Sequence, residues 1–265
     1  MSGPLGPESD LDDIRREMDA IDDGLMSLLE RRFAASEHVR SIKARNGGLS
    51  VSPFRPAREA AILRRLLRRP ENLVPDDLLV RLWRVILTGS AQSQAPITIH
   101  VSKRLNASTG LRLRIRDYFG AMPVEEYRDE SQALMQVNTS PGDICIVETE
   151  APWADAFASG KAGQARIVAC LPFVKTDAIP KLLVFGHSAS EPTGEDETII
   201  VSDGKLPRDF LPSPNWQLKL GSKRVSCLPG FLSDHEIPLV SLVRTNPSLG
   251  LMVAGRYASP FEIRK

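Results

Sequence analysis

The chain has 265 residues, of which 42% are hydrophobic, and its 34 basic and 33 acidic side chains leave a formal net charge of +1. That length allows one large domain or two ordinary ones. The charge balance argues against a nucleic-acid or membrane partner held by bulk electrostatics, so any recognition of an anion must be local. No window approaches the ~20 apolar residues of a transmembrane helix. Met1 to Asp10 is polar and acidic, with Gly3, Pro4, Gly6 and Pro7; it lacks the basic-then-apolar order of a secretory signal and is expected to be disordered. Cys145, Cys170 and Cys227 are odd in number and lack metal-ligand spacing. They read as small buried hydrophobes in a reducing compartment, and a cytoplasmic location is expected.

Residues 11–45 carry the cleanest periodicity. Leu11, Ile14, Met18, Ile21, Leu25 and Leu28 alternate spacings of three and four, the stripe of a coiled-coil-like helix, and the register continues through Ala35, Val39 and Ile42. Asn46-Gly47-Gly48 supplies a stop. At 1.5 Å per residue such a helix is roughly 50 Å long. Two short helices of the same chain cannot cover it, so a partner helix is required and an intertwined homodimer is the simplest source. A second helix is expected from Pro56, suited to a first helical position, to about Arg69, and a third from Asp76 to Gln94 with Leu79, Leu82, Val85 and Ile86 inward. The basic cluster Arg64, Arg65, Arg68 and Arg69 reads as a solvated helix face.

After Ala95-Pro96 the pattern changes to short β-type runs, Ile97 to Val101, Ile144 to Val147, Ile167 to Ala169, Leu182 to Phe185 and Thr198 to Val201. Helix-like material lies at Thr109 to Tyr118 and Ser131 to Val137. The expected architecture is an all-α three-helix domain over 11–95 followed by an α/β or α+β domain over 97–265. Gly186-His187-Ser188 reads as a turn after a strand, because the second glycine of a nucleophile elbow is replaced by Ser190. His38, His100 and His235 form no ligand spacing.

Charged residues stand where the helical register calls for hydrophobes. Position 32 continues the stripe of the first helix and is Arg32; a charge on a packing seam costs several kcal/mol unless it is paired. Lys43 lies eleven residues on, within about 20° of the same face and ~16 Å along the axis. In the third helix the line Leu82, Ile86 continues into Ser90 and Gln94, and the second helix opens with Arg58-Glu59. Together these side chains describe an interior pocket with basic, amide, hydroxyl and carboxylate groups. They include no nucleophile–base pair, metal cluster or glycine-rich phosphate loop, and suit a small, oxygen-rich anion.

The run Ile14-Arg15-Arg16-Glu17-Met18-Asp19-Ala20-Ile21-Asp22 and the segment Leu28-Leu29-Glu30-Arg31-Arg32 resemble the opening of the all-helical chorismate mutases. Lys43, Arg55-Pro56-Ala57-Arg58-Glu59 and Ser90-Ala91-Gln92-Ser93-Gln94 follow at that family's spacings, over roughly residues 10–95. The resemblance implies an intertwined dimer that converts chorismate to prephenate in phenylalanine and tyrosine biosynthesis, without cofactor or metal. It assigns Arg32, and Arg15 arriving from the other protomer, to substrate carboxylates. Lys43 and Gln94 would donate to the ether oxygen, Glu59 would accept from the ring hydroxyl, and Ser90 and Arg58 would complete the wall. Geometry agrees about Arg15, which lies roughly 42 Å from Lys43 along one helix and cannot share a small pocket with it. The departure is Arg55, where many members carry Asp; either Glu59 serves the hydroxyl alone or Arg55 turns outward.

Residues 97–175 bear a fainter resemblance to a prephenate dehydratase lobe, through Tyr118-Phe119-Gly120, Ser131 to Val137 and the strand Asp143 to Val147. The catalytic Thr-Arg-Phe of that family is missing, and Val147-Glu148-Thr149-Glu150 stands in place of its Glu-Asn-Ser segment, which implies a degenerate lobe with a structural or regulatory role. Two alternatives accompany the mutase: an isochorismate pyruvate-lyase of the same helical fold, and a non-catalytic regulatory dimer that binds an aromatic metabolite.

Overall fold

A computed structural model of the chain describes residues 10–45, 52–70 and 73–262, apart from the side chains of residues 43 and 44. The chain divides into two compact units, residues 1–48 and 49–265. The first is a single helix, α1 (Leu11–Arg45). Asp10 caps it, its Oδ1 accepting from the backbone N–H groups of Asp12 at 3.0 Å and Asp13 at 2.8 Å, while Asp12 and Asp13 place negative charge at the positive end of the helix dipole. The apolar stripe of α1 is exposed: Leu11 is 71% exposed and Met18 60%, and Ile21, Leu25 and Leu28 are likewise open. Of the segment expected to be disordered, Met1 to Asp10, residues 1–9 lie outside the described residues, as does the Asn46-Gly47-Gly48 stop, whereas Asp10 is ordered as the cap of α1.

The second unit opens with α2 (Pro56–Leu67) and α3 (Asp76–Gln94), followed by β1 (Ile99–Ser102), α4 (Lys103–Ala107), α5 (Thr109–Phe119), β2 (Val124–Tyr127), α6 (Glu130–Thr139) and β3 (Ile144–Glu148). Then come α7 (Trp153–Ala158), β4 (Arg166–Leu171), β5 (Leu182–Gly186), β6 (Asp196–Ser202), β7 (Trp216–Leu220), β8 (Lys223–Pro229), α8 (Leu239–Thr245) and β9 (Met252–Ala258). The strands form one mixed sheet in the order β2-β1-β3-β5-β4-β9-β6-β8-β7. β1 runs parallel to β2 and β3, whereas β5 is antiparallel to both β3 and β4.

Alternation along the strands separates two apolar layers. Ile144, Ile146, Leu182 and Val184 join Phe54, Leu63, Leu66 and Phe119 on one face. Cys145, Val147, Leu183 and Phe185 join Leu134, Trp153 and Phe157 on the other. The sheet is therefore sandwiched, with α2, α3 and α5 contributing to one side and α6 and α7 to the other. Four of the five β-type runs recognised in the sequence lie within strands, the run Ile97 to Val101 overlaps β1 from Ile99 on, and an α/β second half is observed. β2, β7, β8 and β9 escaped sequence reading. β2 is a mostly exposed edge strand, and β7 buries only Trp216 and Leu220, with Leu218 half-buried against the same core, so neither carries a continuous run of hydrophobes.

Two expectations are corrected. α3 buries Leu79, Val80, Leu87 and Ala91, while Leu82 and Val85 are exposed and Ile86 only half-buried. The helix turns Val80, Arg84, Leu87 and Ala91 inward, an equally regular line, because it packs against α5 as well as α2. Arg64 is also not on a solvated face, being only 6% exposed. Its Nη2 donates to the carbonyls of Glu195 at 2.6 Å and Ser259 at 3.2 Å, Nη1 donates to the Thr193 carbonyl and hydroxyl, and the guanidinium lies 5.2 Å from the Phe261 ring centroid. These carbonyls belong to loops around β6 and β9, more than 120 residues away in sequence, so no local pattern could reveal them. Nearby Arg68 pairs with Glu195 at 2.5 Å.

β4 and β9 pair at Ile167 and Gly255, where a Cβ on Gly255 would run into the backbone carbonyl of Ile167. Gly255→Ala is expected to lower stability by about 3 kcal/mol through overpacking that no rotamer can relieve. Arg64→Met should cost about 2–3 kcal/mol by stranding buried carbonyls. Urea denaturation of each variant against the unaltered protein measures both.

Candidate functional site

The sequence-derived site residues fall in both units. In the first, Arg15 is on the exposed first turns of α1 and pairs with Asp12 at 2.9 Å. Such a surface pair is worth little, which leaves its guanidinium able to exchange one carboxylate for another. Arg32 is half-buried, and its carbonyl accepts from the Ser36 hydroxyl one turn on. Lys43 belongs to α1, but its side chain lies outside the described residues.

In the second unit, Arg55 stands immediately before α2 and turns away to form an ion pair with Glu191. Arg58 is exposed. Glu59, one residue on, is buried: the first turn of α2 presents one side to solvent and the other to the sheet, and Glu59 shares the inward side with Leu63 and Leu66. Ser90 is buried with its hydroxyl donating to the Ile86 carbonyl at 2.8 Å. The half-buried Gln94 donates its side-chain amide to the Ser90 carbonyl at 3.1 Å. Ser90 and Gln94 thus lie in consecutive turns of α3, joined by a hydrogen bond.

Glu59 is joined not to Arg58 but to Arg84, which donates from Nη1 to Glu59 Oε2. Arg84 is 3% exposed and lies over the Tyr118 ring, 3.4 Å from its centroid, with Phe173 at 5.3 Å. Tyr118 and Phe173 are stacked at 4.8 Å with an interplanar angle of 18°. Burial pushes the Tyr118 hydroxyl well above the usual phenol range, opposed by Arg84, so the ring faces the guanidinium as a neutral phenol. Sequence reasoning missed Arg84. The signal was present: Arg84 interrupts the line Val80, Leu87, Ala91 as Arg32 interrupts the stripe of α1.

Other polar groups serve the fold. His100, buried in β1, has Nε2 3.1 Å from Asp143 Oδ2, and Asp143 Oδ1 accepts from the Thr98 N–H at 2.8 Å, fastening β1 to the start of β3. Ser188 donates its hydroxyl to the Phe54 carbonyl, and His187 Nε2 lies 2.9 Å from the Val137 carbonyl, so neither forms a nucleophilic centre. The three cysteines are buried and unpaired. Among the described residues, no group of three or more His, Cys, Asp or Glu side chains could hold a metal ion, and no helix is long and apolar enough to cross a membrane.

Residues 14–95 match the family model of chorismate mutase type II. The chain is 32% identical over 85 residues to the bifunctional chorismate mutase/prephenate dehydratase of Neisseria gonorrhoeae, covering 32% of this chain and 22% of that protein. It is 23% identical over 97 residues to the bifunctional chorismate mutase/prephenate dehydratase of Pseudomonas aeruginosa, covering 36% and 27%. The matched segment thus spans about a quarter of the length of these curated relatives. Among solved structures, the chain is similar to one described as GqqA, a novel type of quorum quenching acylases, with a TM-score of 0.43 and 10% identity over 61% of this chain and 95% of that one. It is also similar to prephenate dehydratase from Streptococcus mutans, with a TM-score of 0.39 and 12% identity over 63% and 99%. The segment comprising α1, α2 and α3 is the part of this chain that carries the chorismate mutase type II pattern.

Proposed function

We propose that this chain is a cytoplasmic chorismate mutase that rearranges chorismate to prephenate as an intertwined homodimer, in the supply of phenylalanine and tyrosine. The observation that carries the reading is the family match over residues 14–95, a span that contains every residue the reading needs: Arg15, Arg32, Lys43, Arg58, Glu59, Ser90 and Gln94. The uncovered stripe of α1 supports the dimer. A 35-residue helix, roughly 52 Å long, with Leu11, Met18, Ile21, Leu25 and Leu28 open along it has a partner's worth of apolar surface to bury.

The reaction is an intramolecular pericyclic rearrangement in which one carbon–oxygen bond breaks as a carbon–carbon bond forms. It calls for no nucleophile, general base or cofactor. The protein selects the compact, chair-like conformer and sets positive donors where negative charge grows on the ether oxygen. In this reading Arg32, and Arg15 of the partner subunit, hold the two carboxylates. Lys43 and Gln94 donate to the ether oxygen, Glu59 accepts from the ring hydroxyl, and Ser90 and Arg58 line the wall. With Arg55 committed to Glu191, the hydroxyl falls to Glu59 alone.

That same commitment favours a second reading, a dimer that binds an aromatic metabolite without turning it over, since a position where the family often has a carboxylate is given to an outward ion pair. Purified protein should consume chorismate and release prephenate, with kcat falling about 10²–10³-fold in Lys43→Ala, as for loss of a donor to a developing oxyanion, and with kcat/KM falling in Arg32→Ala through the lost grip on a substrate carboxylate. Chorismate that binds without being consumed would overturn the mutase in favour of the sensor, and pyruvate released from isochorismate would reveal a lyase.

Trans assembly has its own test. Arg15→Ala and Lys43→Ala proteins, each poorly active, should regain part of the activity when unfolded together and refolded, because mixed dimers rebuild one intact site. Sedimentation should give twice the chain mass. Mixtures no more active than their components would exclude Arg15 acting in trans.

A further inference from the structure

Glu59 is held by a group that the mutase reading leaves unused. Arg84 donates to Glu59 Oε2 from a site where both side chains are withdrawn from water, Glu59 being 5% and Arg84 3% exposed. The guanidinium lies against two stacked rings that come from different elements, Tyr118 from α5 and Phe173 from the segment after β4. The Thr88 hydroxyl, one turn beyond Arg84, donates to the Tyr118 carbonyl at 3.3 Å and so fixes α3 against the end of α5.

This cluster is a poor way to stabilise a core. A buried ion pair is at best level with well-packed hydrophobes of the same volume. Here Arg84 Nε and the Tyr118 hydroxyl are moreover buried with no hydrogen-bond partner among the described residues, each at a cost of about 1–3 kcal/mol. What the cluster does achieve is a carboxylate with one defined orientation. The planar guanidinium can be clamped flat against rings and present an N–H in a fixed direction, which a lysine ammonium on its flexible stem cannot do.

We propose that Arg84 is a positioning residue, clamped by Tyr118 and Phe173, that orients the Glu59 carboxylate toward the hydroxyl of the substrate. The α/β sheet thereby acts on substrate recognition through α5 and the segment after β4. This inference rests on the mutase reading of Glu59. The carboxylate meets the hydroxyl in ground state and transition state alike, so disturbing its orientation acts on KM more than on kcat.

The test uses the full-length protein. Arg84→Lys keeps the charge and removes the flat fork; it should raise KM for chorismate about tenfold, the scale of one charge-assisted hydrogen bond, with kcat changed less. Phe173→Leu, which loosens the clamp without touching the pair, should move KM in the same direction. In a Glu59→Gln background, Arg84→Lys should add no further loss, because its only route to the substrate has been removed. Circular dichroism and the unfolding midpoint identify any variant that has lost its fold, and Phe173→Leu keeps the question open to decision if Arg84→Lys does. Unchanged KM in folded Arg84→Lys and Phe173→Leu, or losses that multiply with that of Glu59→Gln, would overturn the positioning role while leaving an active mutase. A wild-type protein without turnover would remove the mutase reading and this inference with it.

Discussion

A carboxylate and a guanidinium taken out of water beside aromatic rings constrain everything around them. Glu59 and Arg84 are nearly inaccessible, and each would be a costly uncompensated charge without the other. Their pairing therefore ties α2 to α3, and the seat of Arg84 on Tyr118 and Phe173 ties both helices to the sheet. Arg64 makes a second tie of the same kind one turn along α2, with backbone carbonyls instead of a carboxylate as its acceptors. Two inward arginines thus join helices that carry a family pattern to the layered α/β unit, beside an apolar core that the same helices share with the sheet.

α1 presents the opposite problem. Its capped N-terminus and long register make a helix whose apolar residues Leu11, Met18, Ile21, Leu25 and Leu28 are exposed. Exposed hydrophobes along so many turns are a liability unless another surface removes them from water, and the proposed dimer answers that with a second copy of the same helix. Under the proposed reading the catalytic groups need little else: fixed cations, an amide and a carboxylate acting on a substrate that supplies both ends of its own reaction.

The candidate site was legible where a charge interrupts an apolar register, as at Arg32, and where several spacings in order resemble a known family, as from Arg15 through Gln94. Arg84 shows the limit of that method. It interrupts a register too, but the line Val80, Leu87, Ala91 competes with Leu82, Val85, Ile86 along the same helix, and α3 packed on α5 by the first. Arg64 shows a second limit. Arginine among arginines on a helix reads as solvated, and only the loops around β6 and β9, far away in sequence, convert it into a buried anchor.

The sequence by itself determined the three helices of the family segment, five of the strands, the change of architecture after Pro96 and the residues available for chemistry. All of these follow from local periodicity, turn residues and spacing, which the chain carries wherever it is folded. The tertiary structure decided the order of the mixed sheet, the edge and amphipathic strands β2 and β7, the face that α3 buries, and the partners of Arg55, Arg64 and Glu59. The partners of Arg55, Arg64 and Glu59 lie 25 to nearly 200 positions away in sequence. The hydrogen-bond partner of a charged side chain is a property of the place it reaches, and that place exists only once the sheet has formed.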